Sequence, residues 1–210
     1  MTRRLLDCTA SELRTFHKDQ LLESIAGCEG RVMMCETIGI TPPLLGDVTN
    51  AEYAAALGAD ILLLNMFDVQ NPRLEALPES SPRETIRTLK RLTGRVIGIN
   101  LEPVDPRIAA GNAGTLWEMT PGRLATADNA RLAADMGVDL ILLTGNPGNG
   151  VANEAILATL IQLKAAVGDR VILAAGKMHA AGLPGQGGAN IMTTEDAQAF
   201  MEAGADIVLV

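Results

Sequence analysis

A single pattern recurs six times along this chain of 210 residues, in two alternating forms. In one form a helix ends at a glycine, an acidic residue follows, and an apolar strand begins. It reads Leu57-Gly58-Ala59-Asp60-Ile61, Met136-Gly137-Val138-Asp139-Leu140 and Ala203-Gly204-Ala205-Asp206-Ile207. In the other form a basic residue opens the strand: Arg31-Val32-Met33, Arg95-Val96-Ile97 and Arg170-Val171-Ile172. The two alternate strictly, with about 70 residues per pair. Repeated helix-then-strand units of this length predict a parallel (β/α) barrel of TIM type, which closes with eight units. Six are present, so the expectation is one (β/α)-barrel domain over residues 1–210 whose remaining two units lie beyond Val210.

An open doubly wound sheet also alternates strand and helix. No G-x-G-x-x-G follows the first strand, and a two-unit repeat suits a closed ring better. Strand-to-helix connections are long and helix-to-strand connections are two or three residues, as in barrels with elaborated top loops and short bottom ones. The strands are near-continuous apolar runs, as parallel strands covered on both faces require.

Caps mark the helices. Thr9-Ala10-Ser11-Glu12 is a capping box that opens a leading helix within residues 1–29, with Leu13, Phe16, Leu21, Leu22 and Ile25 on its apolar face. Thr49 with Glu52, Ser81-Pro82 with Glu84, Thr126, and Thr193 with Asp196 open four crossover helices. Gly58, Gly94, Gly137, Gly168 and Gly204 close helices.

Hydrophobic residues make up 48 % of the chain and aromatics 2 %, which excludes general disorder and leaves aliphatic residues and methionine to fill the core. A formal charge of −8 argues against a nucleic-acid partner. Cys8, Cys28 and Cys35 show no C-x-x-C spacing and read as free thiols. No apolar run of about 18 residues spans a membrane, and the basic N-terminus lacks an apolar signal region. A cytoplasmic protein is expected. The open edges of a six-stranded parallel sheet predict a homo-oligomer.

At one rim, successive strands end in polar groups: Glu36, Asn65 with Asp68, Asn100 with Glu102, Thr144 with Asn146, and Lys177 with His179. This is the end where barrels place catalysis. Lys177 leaves a buried strand, so it is a candidate base, anion clamp or Schiff-base nucleophile. His179 and Glu36 are candidate proton carriers. Asn65, Asn100 and Glu102 would orient a substrate. Asp68 and Glu102, with waters, form the set for which Mg²⁺ is the expected cation. Thr144-Gly145-Asn146-Pro147-Gly148 opens a glycine-rich turn whose N–H groups suit a carboxylate or phosphate, without the ending of a Walker motif. The loop from Pro103 to Ala125, with Trp117, has the length of a lid, and Gly182–Gly188 that of a flap.

The segments Glu36-Thr37-Ile38-Gly39, Pro42-Pro43-Leu44, Leu64-Asn65-Met66, Thr144-Gly145-Asn146-Pro147-Gly148 and Gly176-Lys177-Met178-His179-Ala180-Ala181-Gly182 carry a resemblance. They resemble a bacterial TIM-barrel family often labelled phosphoenolpyruvate phosphonomutase-like. The resemblance implies a barrel and a small anionic substrate. It does not extend to the mutase reaction, because the acidic Mg²⁺ cluster and lysine-cysteine-glycine-histidine loop of true mutases and isocitrate lyases are absent. The resulting expectation is a lyase-, aldolase- or isomerase-like enzyme acting next to a carbonyl on a small carboxylated or phosphorylated metabolite. The alternative is a barrel that binds or senses a metabolite without turning it over.

Overall fold

In the computed structural model, which describes residues 2–104, 118–144, 151–176 and 193–209, the recurring acidic residue plays the same structural part three times. Asp60 Oδ2 accepts the Met33 N–H at 2.8 Å while its own N–H donates to the Met33 carbonyl at 2.8 Å. Asp139 repeats this with Ile97 (2.9 Å both ways) and Asp206 with Leu173 (2.8 Å both ways). Each carboxylate clips the start of one strand to the start of its predecessor. Burial pushes the Asp139 carboxyl above its ordinary value, while Lys90 at 2.6 Å and the Ile97 N–H pull it back.

The strands so fixed are β1 (Met34–Ile38), β2 (Ile61–Asn65), β3 (Val96–Leu101), β4 (Leu140–Leu143), β5 (Ile172–Gly176) and β6 (Ile207–Leu209). All neighbours are parallel and the spatial order is β1-β2-β3-β4-β5-β6, with no reversal. A doubly wound sheet reverses its order at a switch point and carries helices on both faces. Here the crossover helices share one face. Alternate strand residues Leu62, Leu64, Ile97, Ile99, Ile141, Leu143 and Leu173 pack with Ala54, Ile86, Leu89, Ala133, Ile156, Leu160 and Phe200 of those helices. The architecture is a curled, partial TIM-type barrel.

The intervening residues form the other core. Ile61, Leu63, Val96, Leu140, Leu142, Ile172 and Ala174 face inward and meet Leu5, Leu21 and Cys28 of the leading segment. That segment is two helices, α1 (Ala10–Leu13) and α2 (Lys18–Ala26), rather than the single one expected. The Thr9 box opens α1, which ends after one turn with Arg14 as its C-cap, and α2 begins afresh at His17. Buried Lys18 donates to the Gly168 carbonyl and contacts Asp206 Oδ2, both at 2.6 Å. Gly168 and Asp206 precede β5 and β6, so the leading segment plugs the end of the barrel where strands begin.

The crossover helices are α3 (Asn50–Ala56), α4 (Thr85–Thr93), α5 (Ala127–Met136), α6 (Asn153–Val167) and α7 (Thr194–Glu202). Thr49, Thr126 and Thr193 cap theirs as the sequence predicts. Ser81 does not: Pro82 opens a 3-10 turn over Pro82–Glu84, and α4 follows it. Gly94 and Gly137 take the left-handed cap, at φ 65° and 93°, whereas Gly168 stays right-handed at φ −66°. Strand β1 starts at Met34, later than the Arg31 of the repeat. Cys8, Cys28 and Cys35 are free, and among the described residues no helix is long and apolar enough to cross a membrane.

Candidate functional site

Because side chains alternate along a strand, the inward set Ile61, Leu63 continues to Asn65, and Val96, Gly98 continues to Asn100. By the same count β1 brings Glu36 and β4 leads to Thr144. Asn65, Asn100 and Thr144 lie at or next to the strand ends opposite the plug, whereas Glu36, expected to end β1, sits mid-strand opposite Leu63 because β1 runs on to Ile38. The register pairs Ile38 with Asn65 and Leu64 with Ile99, which sets Asn65 beside Asn100.

The clearest polar contact here joins β1 to β2. Asn65 Nδ2 donates to Glu36 Oε1 at 2.7 Å, and Asn65 Oδ1 accepts the Met66 N–H at 2.8 Å. The second bond fixes which end of the amide faces the carboxylate. To make it, Met66 adopts a left-handed backbone, φ 59°, unusual for a side chain of its size. Asn65 is only 6 % exposed, whereas Glu36 is exposed. A buried, doubly anchored amide thus holds an accessible carboxylate in place.

Asn100 is 5 % exposed and, among the described residues, its Oδ1 has no hydrogen-bond partner. An unmatched buried acceptor costs about 1–3 kcal/mol. Thr144 is buried at the end of β4.

Glu102 sits differently from the expectation of an open ligand. It is 2 % exposed and its Oε1 meets Arg123 Nη2 at 2.5 Å. Arg123 Nη1 donates to the Glu118 carbonyl at 2.7 Å, and the Glu102 and Ala125 N–H groups bond across the same junction. Asp68 Oδ1 accepts the N–H groups of Gln70 and Asn71 at 2.8 and 2.9 Å. Beside it lies Gly122, where an added Cβ would fall 1.7 Å from that oxygen. Of the two carboxylates expected to share Mg²⁺, Glu102 is therefore engaged in fastening the segment around Pro121–Arg123 to the end of β3, and Asp68 in a turn of its own loop with Gln70 and Asn71. Among the described residues no group of three or more His, Cys, Asp or Glu stands ready for a metal ion. The set does not fit Mg²⁺.

Lys177, His179, Asn146, Gly148, Trp117 and the Gly182–Gly188 flap lie outside the described residues. Arg123, Gly122 and Met66 were not singled out by sequence. A lone arginine and glycine in a loop carry no periodic signal, and the backbone of Met66 leaves no trace in residue type.

An apolar groove of about 630 Å³ lies elsewhere, lined by Met33, Cys35, Thr37, Tyr53 and Leu57. It follows the outer edge of β1, where among the described residues the sheet has no further neighbour. It holds none of the rim's polar ends.

Comparison with solved structures gives low identities throughout. A mandelate oxidase bound to benzaldehyde is 14 % identical, with a TM-score of 0.50 over 90 % of this chain and 51 % of its own. An aldolase, QR15, is 15 % identical with a TM-score of 0.49, over 97 % of this chain and 80 % of its own. A proposed lyase/mutase from Burkholderia cenocepacia J2315 is 16 % identical with a TM-score of 0.48, over 91 % and 64 %. The chain thus spans about half the length of the mandelate oxidase, and at such identity the likeness speaks for fold alone. No curated protein matches the sequence. The family is nonetheless shown: residues 6–210 match the one described as Domain of unknown function (DUF7916), and the chain belongs to it.

Proposed function

We propose that this barrel is an enzyme acting next to a carbonyl in a small carboxylated or phosphorylated metabolite, by lyase-, aldolase- or isomerase-like chemistry. The observation that carries the reading is the Glu36 carboxylate held at 2.7 Å by Asn65 on the rim where strands end. A base held in place before substrate arrives need not be reorganised during reaction. Glu36 takes the proton from the carbon beside the carbonyl, the C–H electron pair becomes the C=C bond of the enolate, and the carbonyl π pair moves onto its oxygen. The resulting oxyanion needs a donor, and Lys177 and His179 are the residues the sequence offers for it. Asn100 and Thr144 orient the substrate, with Asn146 and Gly148 on its anionic group.

Deuterium exchange tests the proton step. The protein is incubated in D₂O with small oxo acids and their phosphorylated counterparts, and the mass of each is followed. Glu36→Gln keeps the acceptor for Asn65 and so the local fold, yet exchange should fall by about 100-fold or more. Lys177→Ala should lose it similarly. Unchanged exchange in Glu36→Gln would remove the assignment. Saturable binding without exchange in the unmodified protein would favour a sensing barrel.

A further inference from the structure

Along its outer edge β1 has no strand beside it among the described residues. Met33 donates its N–H to Asp60 Oδ2, and its carbonyl accepts the Asp60 and Ile61 N–H groups, all on the β2 side. Backbone groups alternate in direction along a strand, so the N–H and C=O of Met34 and Glu36 face the open side. Arg31 also differs from its counterpart in the repeat. Arg95 Nε reaches the Ala59 carbonyl at 2.8 Å, just before the preceding strand. Arg31 pairs instead with Glu29, two residues back, and both side chains are exposed.

The β2–β3 seam shows which neighbour such an edge takes. Val32 and Val96 both face the inner core, and Cys35 and Ile99 the outer one, so β1 matches β3 face for face. Before β3 stands β2, a strand of the aspartate form, and α4 packs Ile86 and Leu89 in one core with Leu62 and Ile97 of that seam. There α4 flanks α3 on one side. The other flank of α3 is the apolar groove, where Met33 and Leu57 are 62 % and 72 % exposed. No charged group is among the described residues that line it.

We propose that this edge and groove are a docking site for one more strand–helix unit of the chain's own repeat, in its aspartate form. The strand runs parallel to β1, and the carbonyl before its aspartate meets Arg31. The helix that follows lays an apolar face on Tyr53 and Leu57. A whole second copy does not fit. A ring of eight leaves an opening about two strands wide between β6 and β1, and a copy brings six. Two units fill it, the arginine form against β6 and the aspartate form against β1. This assignment is independent of the chemistry at the rim.

The test supplies those two units to the intact chain. Residues 66–168 follow an aspartate-form strand and carry α4, β3, α5, β4 and α6 in order, so a copy of them is placed after Val210. Cys35 lines the groove and Cys8, in the leading segment, does not, so alkylation by iodoacetamide reads occupancy. In the extended chain Cys35 should react at least about 10-fold more slowly than before, and amide exchange at Met34 and Glu36 should slow as much. Cys8 should be unchanged, and Met33→Lys should restore the Cys35 rate. An extended chain that melts cooperatively yet leaves Cys35 and the β1 amides as reactive as before overturns the proposal. So does equal protection in the unextended chain that rises with its concentration, which makes a second copy the occupant. If the extension does not fold, the peptide Ala203–Leu209, an aspartate-form strand by itself, is titrated into the 210-residue chain by NMR. Shifts should centre on Met34 and Glu36, with binding about 10-fold weaker in Arg31→Ala for the loss of one charge-assisted bond. No shift in β1 at millimolar peptide, or binding indifferent to Arg31→Ala, overturns it.

Discussion

Lys18 Nζ meets Asp206 Oδ2 at 2.6 Å, so a residue of the leading helix pair is bonded to the first residue before the sixth strand. Both side chains are largely buried, 6 % and 12 % exposed, and Lys18 also holds the Gly168 carbonyl. Breaking a buried pair from one side leaves a charge without its partner. Lys18→Ala should therefore cost about 3 kcal/mol, at the lower end of the range for such pairs. Urea denaturation followed by circular dichroism reads this. A loss below about 0.5 kcal/mol, the scale of exposed pairs, would show that the plug is not anchored there.

Glu12 gives the leading segment a specific acid response. The Thr9 N–H and hydroxyl, with Arg3, hold its carboxyl down to about 2 from an ordinary value of 4.5. A carboxyl depressed in the folded state contributes stability above its unfolded value and loses it as pH falls through its folded one. Stability should thus decline between about pH 4.5 and pH 2, and Glu12→Gln should flatten that part of the profile. Thermal melts of the two proteins at half-unit intervals make the comparison.

Asp139 responds in the opposite sense. Burial raises its carboxyl above 3.8. Its contribution is fully present below that ordinary value and is lost as pH rises through the raised folded one. Asp139→Asn keeps an oxygen for the Ile97 N–H but has no proton to titrate in this range. The stability of Asp139→Asn relative to the unmodified chain should therefore improve as pH rises from 3.8 into the mildly acidic range. A difference that stays constant with pH would show Asp139 titrating alike in both states.

Gly122→Ala should be among the more damaging single-methyl additions to the chain. Its Cβ would fall 1.7 Å from Asp68 Oδ1 and 2.7 Å from the Gln70 nitrogen, both already bonded to each other. Overpacking of this kind costs about 1–3 kcal/mol. Asp68→Ala with Gly122→Ala should recover part of the packing loss, since the clashing oxygen is gone. A double-mutant cycle on denaturation free energies measures the coupling.

The sequence displayed the repeat, and from it the parallel order and the polar residues Asn65, Asn100 and Thr144 at successive strand ends follow, whereas Glu36, read as the end of β1, lies two residues before it. Period and charge fix these, and both are visible in residue type. Asp68 and Glu102 read as exposed rim carboxylates because nothing in the chain announces that Arg123 and Gly122 come back to meet them. Those contacts join residues about 20 to 50 positions apart through a loop without periodicity, and only the folded backbone supplies them. The break between α1 and α2 was hidden for a related reason. Leu13, Phe16, Leu21 and Leu22 all pack near the same inner core, so their spacing imitates one helix. What the leading segment packs against is likewise a tertiary matter.

The two forms of the repeat turn out to divide the labour of assembly. The aspartates clip β1 to β2, β3 to β4, and β5 to β6, always within a pair. Arg95 and Arg170 reach the other way: Arg95 Nε holds the Ala59 carbonyl before β2, and Arg170 holds Asp135 at the end of the helix before β4. Acid fastens each couple of strands, and base fastens one couple to the next. The two charges thus alternate along the start of the sheet, on top of a parallel ladder that runs without interruption from β1 to β6, and one of the arginines is half-exposed to solvent. Losing one of these side chains would therefore loosen a single seam while the backbone ladder across it, β2 to β3 or β4 to β5, still holds.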